Sequence, residues 1–418
     1  MRSMNNGQTS LQIFARRGSS ESYAIRDFLH RCGVRFEWKE LGNGEDKDVA
    51  GVQKGQLPLC IFPDNSRLEH ATLQQISEKL GLFRNPSQSE YDLAIYGAGP
   101  AGLSAAVYGA SEGLKTVVVE RFAVGGQAGT SPKIENYLGF PRGVSGAELA
   151  ERALEQADRF GAEILLLREG VRAEFSTGKG VGYLSDGTKV IARASLCATG
   201  IDYRRLNLPN EERFHGAGLY YGAGASEASL CAGTDHVFVV GGGNSAAQAA
   251  IHFSRYAGKV TMVVRDSSLK KSVSQYLVDR IRFSAKIEVL LRTEVIALHG
   301  DDSLTAITLR NDETDKQWTT QTHWLFLCLG GLPRTKWAEE LGIVRDEAGY
   351  LVTGPDLMKN GHPPKNWPLD RDPYFLETNM PGVFAAGDVR HGSVKRCASA
   401  VGEGAMAVTL VHRYVTGS

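Results

Sequence analysis

The chain has 418 residues, 42% of them hydrophobic, with 47 lysines and arginines against 47 aspartates and glutamates. The length suits about two to four domains, and the balanced charge gives no basis for nucleic acid or an anionic membrane as partner. No apolar run approaches the ~18 residues of a membrane span, and the polar start Met1–Ser10 lacks a signal-peptide core, so a cytoplasmic protein is the expectation. Six cysteines, Cys32, Cys60, Cys197, Cys231, Cys328 and Cys397, show no pair at metal-ligand or redox-motif spacing. Most sit in apolar or small-residue settings, as in Leu59-Cys60-Ile61, and read as buried, inert thiols.

In chain order, Leu11 to Phe14 reads as a short strand and Ser20 to Arg31 as a helix, with Tyr23, Ala24, Phe28 and Leu29 at helical spacing. Arg35 to Lys39 is a second strand. Gln56 to Phe62 sets Pro58 just before a β-rich run, and Thr72 to Leu82 is a closing amphipathic helix. A polar linker, Arg84 to Glu90, follows. From Tyr91 onward strands and helices alternate as doubly wound α/β folds do.

That second section carries two Gly-rich fingerprints. The strand Asp92–Tyr96 leads into Gly97-Ala98-Gly99-Pro100-Ala101-Gly102, a helix from Leu103 to Glu112, and a strand Thr116–Val119 ending at Glu120. The glycines permit a tight turn and let the backbone approach a pyrophosphate at the helix N-terminus. Glu120 falls where a carboxylate accepts ribose hydroxyls. The strand His236–Val240 leads into Gly241-Gly242-Gly243-Asn244-Ser245-Ala246, a helix to Tyr256 and a strand Lys259–Val264. Ala246 replaces the third glycine. This strand ends at Arg265 rather than at an acid, which leaves room for the 2′-phosphate of NADP; NADH remains open, as does a half that binds no nicotinamide productively.

Gly125-Gly126-Gln127-Ala128-Gly129-Thr130, Ile134-Glu135-Asn136-Tyr137-Leu138-Gly139-Phe140-Pro141, Ala198-Thr199-Gly200 and Gly382-Val383-Phe384-Ala385-Ala386-Gly387-Asp388 are further motifs. With the fingerprints, residues 91–418 resemble the low-molecular-weight thioredoxin reductases. The resemblance implies FAD, held by Gly97, Gly99, Pro100, Ala101, Gly102, Glu120, Gly126, Thr199, Gly200 and Gly387. It also implies that Asp388 binds the ribityl chain, and that Gln127 and Asn136 lie by the isoalloxazine. Lys395-Arg396-Cys397 stands where that family has Arg-Gln-Ala beside the flavin. Arg396 there would tune the flavin's redox balance, or else make a surface or phosphate contact. The family's NADPH-phosphate pattern His-Arg-Arg-x-x-x-Arg becomes Val264-Arg265-Asp266 and then Lys270. NADPH is favoured, with Gly241, Gly243, Asn244, Ser245, Ala246, Arg265 and Lys270 as its site. The related reductases also imply a homodimer.

The order of the first section, with proline entering the third strand, resembles the thioredoxin/glutaredoxin fold and implies a cis bond before Pro58. Ser19 and Ser22 stand where that fold carries Cys-x-x-Cys, and Gly224-Ala225-Ser226-Glu227 fills the equivalent slot of the reductase. A dithiol relay needs an attacking thiolate and a resolving sulfur, which serine does not supply. Glu227 could shuttle a proton to flavin or substrate, or be a solvent-facing charge at a helix start. Tyr220 and Tyr221 could shield the flavin or belong to the core. Arg16, Arg17 and the helix start at Gly18 to Ser20 form an anion-friendly patch, on a domain that otherwise reads as a docking or dimerisation module. Thr353 to Pro373, rich in proline, reads as a surface loop that could cover the acceptor site or an oligomer contact.

The expected fold is α/β: a thioredoxin-like domain (10–83), then two Rossmann-like nucleotide-binding domains, with the FAD domain (91–208 and 324–418) split around the NAD(P) domain (209–323). The expected function is an FAD-dependent NAD(P)H oxidoreductase whose reduced flavin hands electrons directly to a small molecule, quinone, oxygen or redox protein. The thiol-less ferredoxin–NADP reductases on the same scaffold offer the analogy. Two alternatives stand: oxidation of a small metabolite with no nicotinamide step, and a module whose flavin state controls a partner contact.

Overall fold

The computed structural model describes residues 10–16, 19–41, 54–176, 178–222, 227–231, 233–270 and 272–417. Its first strand, Leu11–Arg16, buries Leu11, Ile13, Phe14 and Ala15. It pairs in parallel with Phe36–Leu41 and antiparallel with Leu59–Ile61. A parallel neighbour demands a crossover, and the helix Ser20–Arg31 supplies it. Ser19 caps that helix, its hydroxyl accepting the Ser22 N–H at 3.3 Å. The sheet runs Phe36–Leu41, Leu11–Arg16, Leu59–Ile61, Arg67–Leu68. The Leu57–Pro58 bond is cis. The closing helix, Leu73–Lys79, stops three residues short of the expected Leu82.

The chain divides into two compact units. One holds the described residues up to Lys79 with Thr130–Lys133 and Tyr203–Gly330; the other holds Leu80–Gly129, Ile134–Asp202 and the described residues from Gly331 on. The first unit contains, besides the N-terminal sheet, a parallel sheet in the order Leu219–Tyr221, Trp324–Leu327, His236–Val240, Lys259–Val263, Ile287–Leu290. An antiparallel sheet, Thr293–Gly300, Leu304–Asn311 and Gln317–Gln321, accompanies it. The second unit is built on a sheet in the order Glu163–Leu165, Thr116–Val119, Tyr91–Tyr96, Lys189–Cys197, Lys179–Leu184, Gly170–Ser176, with Val383–Ala385 also on Lys189–Cys197.

The boundaries differ from those read in the sequence. Trp324–Leu327, expected to open the returning flavin segment, pairs with both Leu219–Tyr221 and His236–Val240. Its four side chains are buried on both faces, as a central parallel strand requires, so the chain changes unit between Gly330 and Gly331. The earlier change falls at Tyr203 rather than 209. The proline-rich segment is anchored to its own unit: Arg371 makes a two-pronged ion pair with the fully buried Glu377 at 2.6 and 3.0 Å. Among the described residues no helix is long and apolar enough to cross a membrane.

Pro100–Ser111 and Cys397–Thr416 pack as a helix pair. Gly404 makes this approach possible: a Cβ there would lie 2.1 Å from the Ala101 carbonyl oxygen, whereas one on Gly402 would meet nothing within 4 Å. Gly404→Ala is therefore expected to cost about 1–3 kcal/mol by overpacking, and Gly402→Ala to gain about 0.5–1 kcal/mol from helix propensity. Thermal or denaturant melts of the two variants check this opposition of sign.

Candidate functional site

In the second unit the first fingerprint is a turn that a side chain would fill. Gly97 holds φ at +108°, and a Cβ on it would lie 2.4 Å from the Ala198 carbonyl oxygen. A Cβ on Gly102 would lie 1.8 Å from the Gly97 carbonyl oxygen, and one on Gly126 3.0 Å from the Gly99 Cα. Gly99 begins the helix Pro100–Ser111 with no side-chain cap. Pro100 has no N–H of its own to satisfy, and the first-turn N–H groups that follow, from Ala101 and Gly102 on, are left for an anion. Glu120, buried at the end of the next strand, accepts the Ala98 N–H at 2.8 Å and the Phe122 N–H at 2.9 Å. It thus ties the loop to the sheet, and each oxygen keeps a further lone pair.

The C-terminal motif closes over this helix start. A Cβ on Gly387 (φ +77°) would lie 3.0 Å from the Ala101 Cβ. The Gly387 N–H donates to Glu403 at 2.6 Å, and Glu403 is also gripped by the buried Arg390 at 2.6 and 3.3 Å. Asp388, half-buried, makes no side-chain hydrogen bond among the described residues. Burial raises its carboxyl above the ordinary range; Lys395 and Arg396 oppose this and Glu403 adds to it. Cys397 opens the helix Cys397–Thr416, and burial with the Asp388 charge pushes its thiol up to about 11. The Tyr137 phenol is raised by burial and then by Cys397. Asp388, Lys395, Arg396, Cys397 and Tyr137 therefore form one neighbourhood at a helix N-terminus. Arg396 itself is exposed and donates to the Lys395 carbonyl at 3.1 Å, while the Lys395 ammonium lies 4.2 Å above the Tyr350 ring. Gln127 donates to the Ile201 carbonyl at 2.7 Å. Thr199 and Asn136 are exposed, and Gly200 turns at φ +64°. A glycine cradle, an uncapped helix and a half-buried carboxylate without a donor fit the pyrophosphate and polyol of FAD.

The first unit repeats the arrangement. A Cβ on Gly241 (φ +143°) would lie 2.4 Å from the Cys328 carbonyl oxygen and 3.2 Å from the Cβ of the buried Ala246. Gly243 begins the helix Asn244–Phe253, again with no side-chain cap and with open space around its Cβ position. Ser245 is exposed. Asn244 accepts the Ser274 N–H at 2.7 Å, and the Ser272 hydroxyl donates to the Gly242 carbonyl at 2.6 Å. These two braces were not foreseen; serine at a helix start was the signal that could have found them. Arg265 and Lys270 are both exposed beyond the strand Lys259–Val263.

Glu227 is only 2% exposed, so it is not the solvent-facing charge that one alternative supposed. It begins the short turn Ala228–Leu230, and its charge raises the phenols of Tyr23 and Tyr220, after burial, which is the larger cause for both. Gly224 to Ser226 lie outside the described residues. Tyr220 is a core aromatic, stacked with Phe326 at 5.0 Å and Trp324 at 5.8 Å. Tyr221 donates to Glu211 at 2.5 Å. In the expected anion patch at the N-terminal helix, Arg16 and Ser20 are exposed; Arg16 pairs with Asp302 at 3.2 Å, and the Ser20 Cα lies 3.1 Å from the Cβ position of Gly216. Arg17 and Gly18 lie outside the described residues. No disulfide joins any of the six cysteines, and five are buried. Burial pushes Cys60, Cys231 and Cys328 up to about 12 and raises Cys197 as well.

Two uncapped glycine-started helices, each following a parallel strand, define a protein with two dinucleotide sites. The chain belongs to the pyridine nucleotide-disulphide oxidoreductase family, whose model matches residues 91–404. The thioredoxin reductase of Bacillus subtilis (strain 168) is 34% identical over 327 residues, covering 78% of this chain and 95% of that protein. A "34.2 kDa protein in rubredoxin operon" of Clostridium pasteurianum is 32% identical over 338 residues, 79% of this chain and 99% of its own. The thioredoxin reductase structure of Lactococcus lactis is similar with a TM-score of 0.68 at 28% identity, covering 78% of this chain and all of that one. The chain is thus an FAD-dependent oxidoreductase of thioredoxin reductase type, and the family implies FAD and NADPH.

The Asp388 carboxyl also carries a stability consequence. Its pKa is raised by folding, so the acid form is favoured in the folded chain and ionisation above that pKa costs stability. Asp388→Asn is expected to raise the melting temperature of the apoprotein at neutral pH, with the gain vanishing below the ordinary aspartate value of about 3.9. Melting curves across pH check this; a lower melting temperature for D388N at pH 7 contradicts it.

Proposed function

We propose that this enzyme oxidises NADPH, in preference to NADH, and that its flavin passes electrons straight to an external acceptor without a cysteine relay. The observation that carries the reading is the state of the sulfur. A relay thiol needs a lowered pKa and a partner sulfur. Cys60, Cys197, Cys231, Cys328 and Cys397 are all raised, burial being the first cause in each, and no two cysteines are joined. The relatives named thioredoxin reductase act on thioredoxin by name; the sulfur pair for that route is absent here, with Gly224 and Glu227 at the positions concerned.

FAD supplies a centre that takes up a hydride and gives electrons out one or two at a time. The first turn of Pro100–Ser111 holds its pyrophosphate, Glu120 takes a ribose hydroxyl, and Asp388 accepts from the ribityl chain. Gln127 and Asn136 orient the ring system. Lys395 and Arg396 keep positive charge at that end of the site, which favours an anionic reduced ring. In the first unit the start of Asn244–Phe253 holds the nicotinamide cofactor's pyrophosphate, and Arg265 and Lys270 take the 2′-phosphate. The N-terminal sheet order and the cis Leu57–Pro58 bond support a thioredoxin-like fold for that domain, one that has lost its dithiol. A homodimer in the cytoplasm completes the proposal.

Under anaerobic conditions NADPH is expected to bleach the flavin's visible absorbance faster than NADH does. Ferricyanide is expected to sustain turnover, and insulin disulfides with added thioredoxin to stay unreduced. Arg265→Ala is expected to raise KM for NADPH about tenfold, the worth of one charge-assisted phosphate contact, with little effect on NADH. Reduction of insulin through thioredoxin would refute the direct route. A flavin that both nicotinamides leave oxidised and a metabolite reduces would replace the reading with a metabolite oxidase.

A further inference from the structure

The helix Ser20–Arg31 is packed on two sides. Ile25, Phe28 and Leu29 are buried. Ser20, Tyr23, Asp27 and Arg31 recur at i, i+3, i+7 and i+11 and so share another face. That face meets the nucleotide-binding part of the same unit. The Ser20 Cα and the Tyr23 Cβ each lie 3.1 Å from the Cβ position of Gly216. The Tyr23 ring stands 5.2 Å from Tyr220 and 6.0 Å from His215, and it packs on the core cluster that contains Ala228, Cys231 and Val237. The charges of Asp27 and Arg31 reach Tyr203, and that of Asp27 reaches His215. On the adjoining flank, Ser22 is 2% exposed and its buried hydroxyl has no hydrogen-bond partner among the described residues. Arg26, beside it, acts on Cys231.

Tyr23, the residue after Ser22, therefore lies against the aromatic cluster and feels the charge of Glu227. A contact with a tyrosine peg, a buried glycine socket and a buried carboxylate is built to persist. A carrier domain that docks and leaves would instead expose Ser22, Arg26, Cys231 and Glu227 at each departure, an unfavourable exchange for surfaces this apolar.

We propose that the N-terminal domain is a permanent occupant of the face formed by His215, Gly216, Tyr220, Glu227 and Ala228, which it closes to any external redox protein, and that it stays in place throughout turnover. This deepens the reading of direct electron transfer, on which only its activity arm rests. The acceptor must then approach from another side.

The test is a tether. Tyr23→Cys with Gly216→Cys sets the two Cβ positions 3.1 Å apart, so a small outward shift reaches the ~3.8 Å of a disulfide; Ser20→Cys with Gly216→Cys is the second pair, should the first fail to fold. Mild oxidation is expected to close one bond, seen by mass spectrometry as a cross-linked peptide, with equal yield with and without NADPH. The tethered enzyme is expected to reduce ferricyanide with NADPH within about twofold of the same protein opened by a phosphine. The proposal is overturned if neither pair closes, if NADPH sharply lowers the yield, or if closing the bond cuts turnover about tenfold or more in a way the phosphine reverses. Cross-linking is read without activity, so a parent enzyme inert to NADPH would sink the proposed reaction and leave the tether result standing.

Discussion

Two helices in this chain begin at a glycine that offers no side chain to their first N–H groups, and the rest of the molecule is arranged around that constraint. An α-helix leaves four amide protons unsatisfied at its start. Ordinary proteins answer with serine, threonine, aspartate or asparagine. Here the N-cap position is bare, and the backbone packs close enough that a Cβ at Gly97 or Gly241 would strike a carbonyl oxygen. Each loop is then held from outside by a polar strut: Glu120 on Ala98 in one unit, and Ser272 on Gly242 with Asn244 on Ser274 in the other. The struts differ in kind: a carboxylate at the strand end in one unit, a serine hydroxyl and an asparagine amide in the other.

Much of this was legible in the chain because glycine at a positive φ has few substitutes. The fingerprints, the alternation of strands and helices, and the proline beside a β-rich run each reflect a local conformational demand that survives in one sequence. What was not legible depended on which neighbour a side chain meets. Trp324–Leu327 is an apolar run that would look the same as a central strand of either sheet, and only its pairing with Leu219–Tyr221 and His236–Val240 decides. Tyr23 has helical spacing with Phe28 and Leu29, which suggested one core face; the helix has two, and Tyr23 lies on the other. Glu227 is a charged residue by composition and a buried one by contact. Serines at 272 and 274 look like any polar turn until they are seen to brace a loop thirty residues earlier.

The sulfur atoms and the charged residues tell a consistent story from opposite directions. Five thiols have been raised by burial, which makes them stable passengers rather than nucleophiles. Meanwhile the group with neither burial-matched partner nor donor, Asp388, sits beside two cations at the start of a 20-residue helix. A half-buried carboxylate in that condition costs stability. The chain thus keeps its electrostatic strain at Asp388 rather than at the cysteines.

The proposed place of the N-terminal domain follows from the same economy of surfaces. On that reading a helix start without thiols has no need to stay accessible to a disulfide, and apolar surface left open to water is disfavoured. Tyr23 fills the space over Gly216, beside His215 and Tyr220, and Glu227 is buried within reach of its phenol. On the proposed reading the two features are linked: a module that does not exchange disulfides is held best by a surface that has no thiols to serve.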